Sequence, residues 1–205
     1  MATKYGFSDV REQLIDSIKE AYPTKWEDPA IRKVVGESIF GLPIPHPNAV
    51  LNVFREQGVK FALPIAAYRA ALGGFSSLIS DKPGTVLPRL PLAFTIHGMK
   101  VIRTRSAQFA HLVICEMSLR GCRDDTCALN VGSNPPLLRM EALHKIYHAM
   151  VRGGDGDVLF SRLPKSVACV NCAKALEKTH HSWCDEITWK ELPRMFGVAK
   201  SWEEV

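Results

Sequence analysis

The chain has 205 residues, 46% apolar and 23% charged, with a formal charge of +5; that length allows one large domain or two small ones with a core that needs no disulfides. The composition is that of an ordinary globular protein and excludes fibrous and low-complexity classes. No apolar run approaches the roughly 18–20 residues that span a bilayer, and the opening MATKYGFSDVREQL lacks a secretory pattern, so an intracellular protein of cytoplasm or nucleus with reduced cysteines is expected.

In chain order, the first expected helix starts at Ser8, an N-cap type of residue, with Glu12 shortly after. Val10, Leu14, Ile15 and Ile18 recur at helical spacing, and Pro23 marks the exit. A Pro- and Gly-broken stretch follows, with Ile39, Phe40 and Leu42 leading to Pro43, Pro45 and Pro47. From Asn48 the pattern is helical again, with Val50, Leu51, Val53 and Phe54 on one face and Gly58 as C-cap. Residues 61–72 form the next helix, with Pro64 in its first turn, where the missing N–H does little harm. Together they predict a helical hairpin joined at 57–60.

Three prolines and a glycine in 81–91 predict a loop and a boundary, and an amphipathic helix over 98–119 then carries Val101, Ile102, Phe109, Leu112, Val113 and Met117. After Pro135 and Pro136 a helix is expected over 137–151, with Leu138, Leu143, Ile146 and Tyr147 on its buried side. GGDGD at 153–157 reads as a turn, and a last helical stretch runs through Ala173, Leu176 and His180 to Trp183, Trp189, Leu192 and Phe196. Only Val34–Val35 and Val113–Ile114 lean towards strand. The expected class is all-α, divided into a helical segment over 1–80, a Pro/Gly-rich connector over 81–97 and a helical domain over 98–205.

The strongest chemical signal is a pair of cysteine pairs, Cys122 with Cys127 and Cys169 with Cys172. At such spacings one loop can present two sulfurs to one ion, and two loops complete the tetrahedron of a structural zinc site. Each pair falls where a helix is expected to meet a loop, so one turn fixes a sulfur while irregular backbone lets the other adjust. A tetrathiolate zinc centre carries a formal charge of about −2, and Arg120, Arg123, Lys165 and Lys174 lie near in sequence to offset it. Two other readings stand beside it: small buried thiols in a core, or a redox pair at a helix N-terminus. The redox pair needs a preceding strand, which the pattern lacks.

The remaining candidates are weaker. Cys115 falls on the expected apolar face and reads as core, and Cys184 as a packing residue or spare ligand. His144 and His148 have the spacing of a zinc-protease helix, but Lys145 stands where the catalytic glutamate is needed. His180 or His181 could replace a cysteine at the metal. No Gly-x-Ser-x-Gly elbow or phosphate-binding loop accompanies them, so a non-enzyme is expected.

ATKYGFSDVREQLIDSIKEAYP at 2–23, FREQGVKFALPIAAYRAAL, the two cysteine pairs and the ending TWKELPRMFGVAKSWEEV follow one another in an order that resembles basidiomycete BTB/POZ domain-containing proteins. The resemblance spans nearly the whole chain. Such proteins begin with an α/β BTB core, whereas this sequence starts within what resembles its last helices. The resemblance therefore implies a truncated relative or a fragment, and BTB dimerisation is not carried over. What remains resembles the helical, BACK-like extension that follows a BTB domain. It implies that Cys122, Cys127, Cys169 and Cys172 form one fourfold group, for which thiolate ligands favour zinc.

The leading expectation is a non-enzymatic protein–protein interaction module, with a cullin-type ubiquitin ligase component as partner. Trp183, Trp189, Phe196 and Trp202 either pack back onto the domain or leave an exposed edge for that partner. The alternative is nucleic-acid binding through a zinc-organised basic surface, with Lys100, Arg103, Arg105, Arg120 and Arg123 on one face. A membrane association and a small-molecule substrate are not expected.

Overall fold

The computed structural model describes residues 8–25, 45–79, 82–120, 122, 124, 127, 130, 137–138, 140–142, 144–145 and 169–205. These are predominantly helical, and no strand occurs among them, as the all-α expectation has it. The chain divides into two compact units, one combining Met1–Gly98 with Glu191–Val205 and the other comprising Met99–Lys190. The stretch at 39–44, Val34–Val35 and the turn at 153–157 lie outside the described residues.

In the first unit, α1 (Ser8–Ala21) ends at the buried Tyr22. Helix α2 (Pro47–Glu56) starts one residue earlier than the apolar pattern suggests. Pro47 fits the first turn, and the His46 ring nitrogen Nδ1 accepts the Asn48 backbone N–H at 3.3 Å. The helix is capped at Gln57, one residue before the expected Gly58, and closes in a Schellman turn: Val59 N–H reaches the Phe54 carbonyl at 2.8 Å and Gly58 N–H that of Arg55 at 3.2 Å. Gly58 takes φ +68° there, a conformation that costs a side-chain-bearing residue. A 3₁₀ turn at Lys60–Ala62 leads into α3 (Leu63–Leu72), with Pro64 in its first turn.

Helix α3 is the centre of this unit. Pro64, Ile65, Ala66, Ala67, Tyr68, Ala70 and Ala71 are all buried, so it is covered nearly all round, as an apolar helix without a polar face must be. It packs against α2, against the short α4 (Gly74–Leu78) and against α7 (Leu192–Met195). The segment 82–88 is held to α2 by two asparagines one turn apart. Asn48 Nδ2 donates to the Thr85 carbonyl at 3.1 Å, and Asn52 Nδ2 to those of Gly84 and Val86 at 3.2 and 2.9 Å.

Helix α5 (Arg89–Arg120) begins at Arg89 rather than at residue 98. Pro91 does not prevent this, because the first four N–H groups of a helix lack intrahelical acceptors. Its expected amphipathic face is corrected as well. Ile102 and Phe109 are buried, but Leu112 is exposed, and the other inward positions are Thr95, Gly98 and Ser106. These five fall three or four residues apart, on one stripe. The two hydroxyls are satisfied within the helix, Thr95 donating to the Pro91 carbonyl and Ser106 to that of Ile102, each at 2.8 Å. Gly98 is required by packing, since a Cβ there would collide with the Phe196 ring.

In the second unit, α6 (Val170–Trp183) continues into a π-helical segment, Cys184–Trp189, whose wider turn shows in the Lys190 N–H reaching back five residues to Asp185 at 3.2 Å. Phe109 lies 4.9 Å from the Trp183 ring and 5.2 Å from that of His180, centroid to centroid, and Leu176, Cys184 and Trp189 are buried in the same unit. The helix expected over 137–151 is helical at its described residues. Ala142 is buried there, while Leu138, expected inside, is 48% exposed. Leu143, Ile146, Tyr147 and His148 lie outside the described residues.

Candidate metal centre

In the second unit the two cysteine pairs lie next to helix ends. Beyond α5, Cys122 pairs with Asn130 in an isolated parallel bridge, which brings the ends of the 122–130 segment together. Within it, Cys127 N–H donates to the Asp124 carbonyl at 3.0 Å and Asn130 N–H to that of Cys127 at 2.9 Å. At the other segment, Cys169 is the N-cap of α6, and its carbonyl accepts the Ala173 N–H at 2.8 Å. Cys172 follows in the first turn, so both of its sulfurs leave one helix start.

The four sulfurs of Cys122, Cys127, Cys169 and Cys172 all lie within 4.8 Å of one another. Across the two segments, Cys122 Sγ is 3.6 Å from Cys169 Sγ, and Cys127 Sγ is 3.9 Å from Cys172 Sγ. A disulfide needs about 2.05 Å, and all four cysteines are free thiols. Sulfurs placed about 2.3 Å from one tetrahedral centre stand about 3.8 Å apart, which the two measured separations bracket. The donor set and its spacing therefore fit a metal ion, and the four cysteines could hold one. Cys127 is buried and the other three are half-buried, so one loop anchors the cluster in the core.

Backbone amides point at these sulfurs. Cys169 N–H donates to Cys127 Sγ at 3.3 Å. The Cys172 N–H at the helix start lowers the Cys169 thiol below its ordinary pKa, the neighbouring thiols adding to the effect. Burial pushes the Cys122 thiol up, against a hydrogen bond from the Asp124 N–H. Burial raises Cys172 further, and the surrounding sulfurs of Cys122, Cys169 and Cys127 reinforce it. The group thus favours one thiolate, at Cys169, and opposes ionisation of Cys122 and Cys172; a cation among the sulfurs would reverse that opposition by favouring every thiolate.

The other candidates stand apart from this group. His180, His181 and Cys184 are not members of it. Cys184 is fully buried, and its Sγ lies 3.3 Å from His180 Nε2, one turn back on the same helical run. Their four-residue spacing is the signal by which that contact could have been found. Cys115 is not core: it is exposed, with Sγ 3.7 Å from His111 Nε2. At 100° per residue it lies more than about 100° around α5 from the buried stripe through Ile102, Ser106 and Phe109. His144 is exposed, with Lys145 beside it paired to Glu141 at 2.9 Å.

Of the residues expected on a basic face, Lys100 and Arg103 are exposed and Arg105 is half-buried, and the side chains of Arg120 and Arg123 lie outside the described residues; of the other cations expected near the sulfurs, Lys165 also lies outside them and Lys174 is exposed. Lys100 and Arg103 lie about 60° apart around the helix, and Arg105 at least about 140° from either. Among the C-terminal aromatics Trp183, Trp189 and Phe196 are buried and Trp202 is half-buried, so the first three pack back and form no exposed edge. No helix among the described residues is long and apolar enough to cross a membrane. Comparisons with protein-family models, curated proteins and solved structures find no match for the chain.

Proposed function

We propose that the chain is a non-enzymatic protein–protein interaction module whose second unit is stapled by a structural zinc ion on Cys122, Cys127, Cys169 and Cys172. The observation that carries this reading is the four-sulfur group drawn from two segments more than forty residues apart. Soft thiolates in a tetrahedral set favour zinc. Four protein ligands fill the coordination sphere, which suits a structural ion, whereas a catalytic zinc keeps one position open for water or substrate. Binding at such sites supplies about 10–16 kcal/mol in small zinc domains, comparable to or above the roughly 5–15 kcal/mol that stabilises a whole domain.

The order of motifs along the chain supports placing the module among BTB-like proteins of fungi, as a helical extension that serves as an adaptor for a cullin-type ligase. The position of Arg105, well round α5 from Lys100 and Arg103, favours this reading over a nucleic-acid surface.

Elemental mass spectrometry of the purified chain and of its four single Cys→Ser variants tests the metal. One zinc per chain, lost in each variant together with helical signal from the second unit, is the expected result. A metal-free chain, or a Cys169→Ser variant with unchanged thermal stability, removes the claim. The adaptor role is tested by gel filtration of the chain with a recombinant cullin N-terminal region, where co-elution is expected and separate elution overturns it.

A further inference from the structure

The first unit contains a half-open pocket of about 260 Å³. The apolar part of its wall comes from Leu51 on α2, Leu63 and Ala67 on α3, Phe94 on α5, and Phe196 with Val198 after α7. Thr95 also faces it, but its hydroxyl is already committed to the Pro91 carbonyl. The shape is fixed by close packing. Gly197 sits at φ +62°, and a Cβ there would meet the Phe94 ring at 2.6 Å; Gly98 meets the Phe196 ring in the same way. Val198 N–H bonds to the Pro193 carbonyl at 2.9 Å and Gly197 N–H to that of Arg194 at 3.1 Å, a Schellman turn that holds this wall in place.

Two features of the rim point outward. Leu90 is 66% exposed and Phe94 36% exposed, so the apolar surface continues beyond the mouth of the pocket. Arg55 and Lys60, on either side of the turn that ends α2, line the same pocket and are exposed. The ion pairs among the described residues involve neither of them. Glu204 is the acidic side chain on the rim, and its Oε2 accepts the Lys200 backbone N–H at 3.0 Å.

We infer that this pocket docks a partner protein through one large apolar side chain flanked by acidic residues. A cavity of about 150 Å³ accepts a benzene ring, so this one takes a leucine or an aromatic side chain. It is smaller than the roughly 300–1,000 Å³ of sites that enclose drug-sized ligands. The exposed Leu90 and Phe94 give the flanking backbone an apolar bed, and Arg55 and Lys60 supply charge for neighbouring carboxylates. An anchor in a pocket with a charged rim is how small interfaces gain both affinity and register. The inference deepens the interaction-module reading and rests on it, while using no cysteine.

The test uses the full chain with its metal content measured, and three fluorescein-labelled peptides as probes. One is acidic with a central Leu-Trp pair, the second replaces that pair by Ser-Ser, and the third replaces every acidic residue by lysine. The expected result is that the first binds at least about tenfold tighter than either control, as anchor and rim charge both demand. Amide shifts on binding should centre on Leu51, Ala67, Phe94 and Val198. Arg55→Gln with Lys60→Gln, both exposed positions, should weaken it at least about threefold, and Leu90→Ser by a similar factor, with circular dichroism unchanged. Equal binding of all three peptides, or no shifts at millimolar peptide, overturns the proposal. Binding whose shifts fall only within residues 99–190 also overturns it, yet leaves the interaction-module reading standing. Loss of that wider reading shows instead in the metal and cullin measurements.

Discussion

The Tyr22 hydroxyl accepts a hydrogen bond from Arg69 Nη1 at 3.1 Å, the guanidinium lies 4.8 Å from the tyrosine ring centre, and Phe54 meets that ring edge-on at 4.9 Å. One side chain thereby joins the end of α1 to α2 and α3. Burial raises the Tyr22 pKa above its ordinary value, and Arg69 partly opposes this through its charge and hydrogen bond. A phenol with a raised folded pKa contributes stability that is fully present below its unfolded pKa of about 10. Above that pH the unfolded chain releases its proton first, so the contribution is lost as pH rises towards the folded value. Urea unfolding measured from pH 8 upward should show stability falling beyond about pH 10, and Tyr22→Phe should flatten that fall. Arg69→Leu should push the pKa higher and extend the fall further. A Tyr22→Phe slope identical to the parent's would rule this coupling out.

Between α2 and the 82–88 segment, the clamp is two asparagines against three backbone carbonyls. Asn48 is fully buried, so Asn48→Ala removes a buried donor to the Thr85 carbonyl. That costs about 1–3 kcal/mol, and amide exchange at Gly84–Leu87 should accelerate well before α3 opens; unchanged protection there would mean the segment is held by other means. This clamp had no signature in the sequence, because two asparagines on a helix look like residues that face water. The α2–Gly58–α3 hairpin was legible, since its glycine cap, Pro64 and apolar spacing all act locally. Helix α5 was legible in its existence and not in its extent or inward face. Pro91 looks like a breaker unless it sits in the first turn, and Thr95, Gly98 and Ser106 read as outward residues until their hydroxyls and the Phe196 ring are accounted for. The same phase error turned Cys115 inward. The cysteine group was legible because Cys-x₂-Cys and Cys-x₄-Cys place sulfurs by local geometry; the pairing of Cys122 towards Cys169 and Cys127 towards Cys172 is tertiary and was not.

At the scale of the whole chain, all six cysteines lie within Met99–Lys190 and none in the other unit. If the four sulfurs hold the proposed zinc, a chelator should therefore raise amide exchange across 99–190, while α2, α3 and α7 keep their protection. Exchange rising equally in α3 would show that the units do not respond separately. The division of the chain also has a consequence for its synthesis. Residues 99–190, with all four sulfurs, leave the ribosome as one uninterrupted stretch and can close as soon as they emerge. The first unit cannot, because Leu192, Met195 and Phe196 belong to its core and α7 packs on α3. The unit that begins earlier in the chain is thus completed after the other, and it must keep apolar surface from aggregating until residues 191–205 arrive. A chain released at residue 190 would keep its four-sulfur group and lose the fold that precedes it.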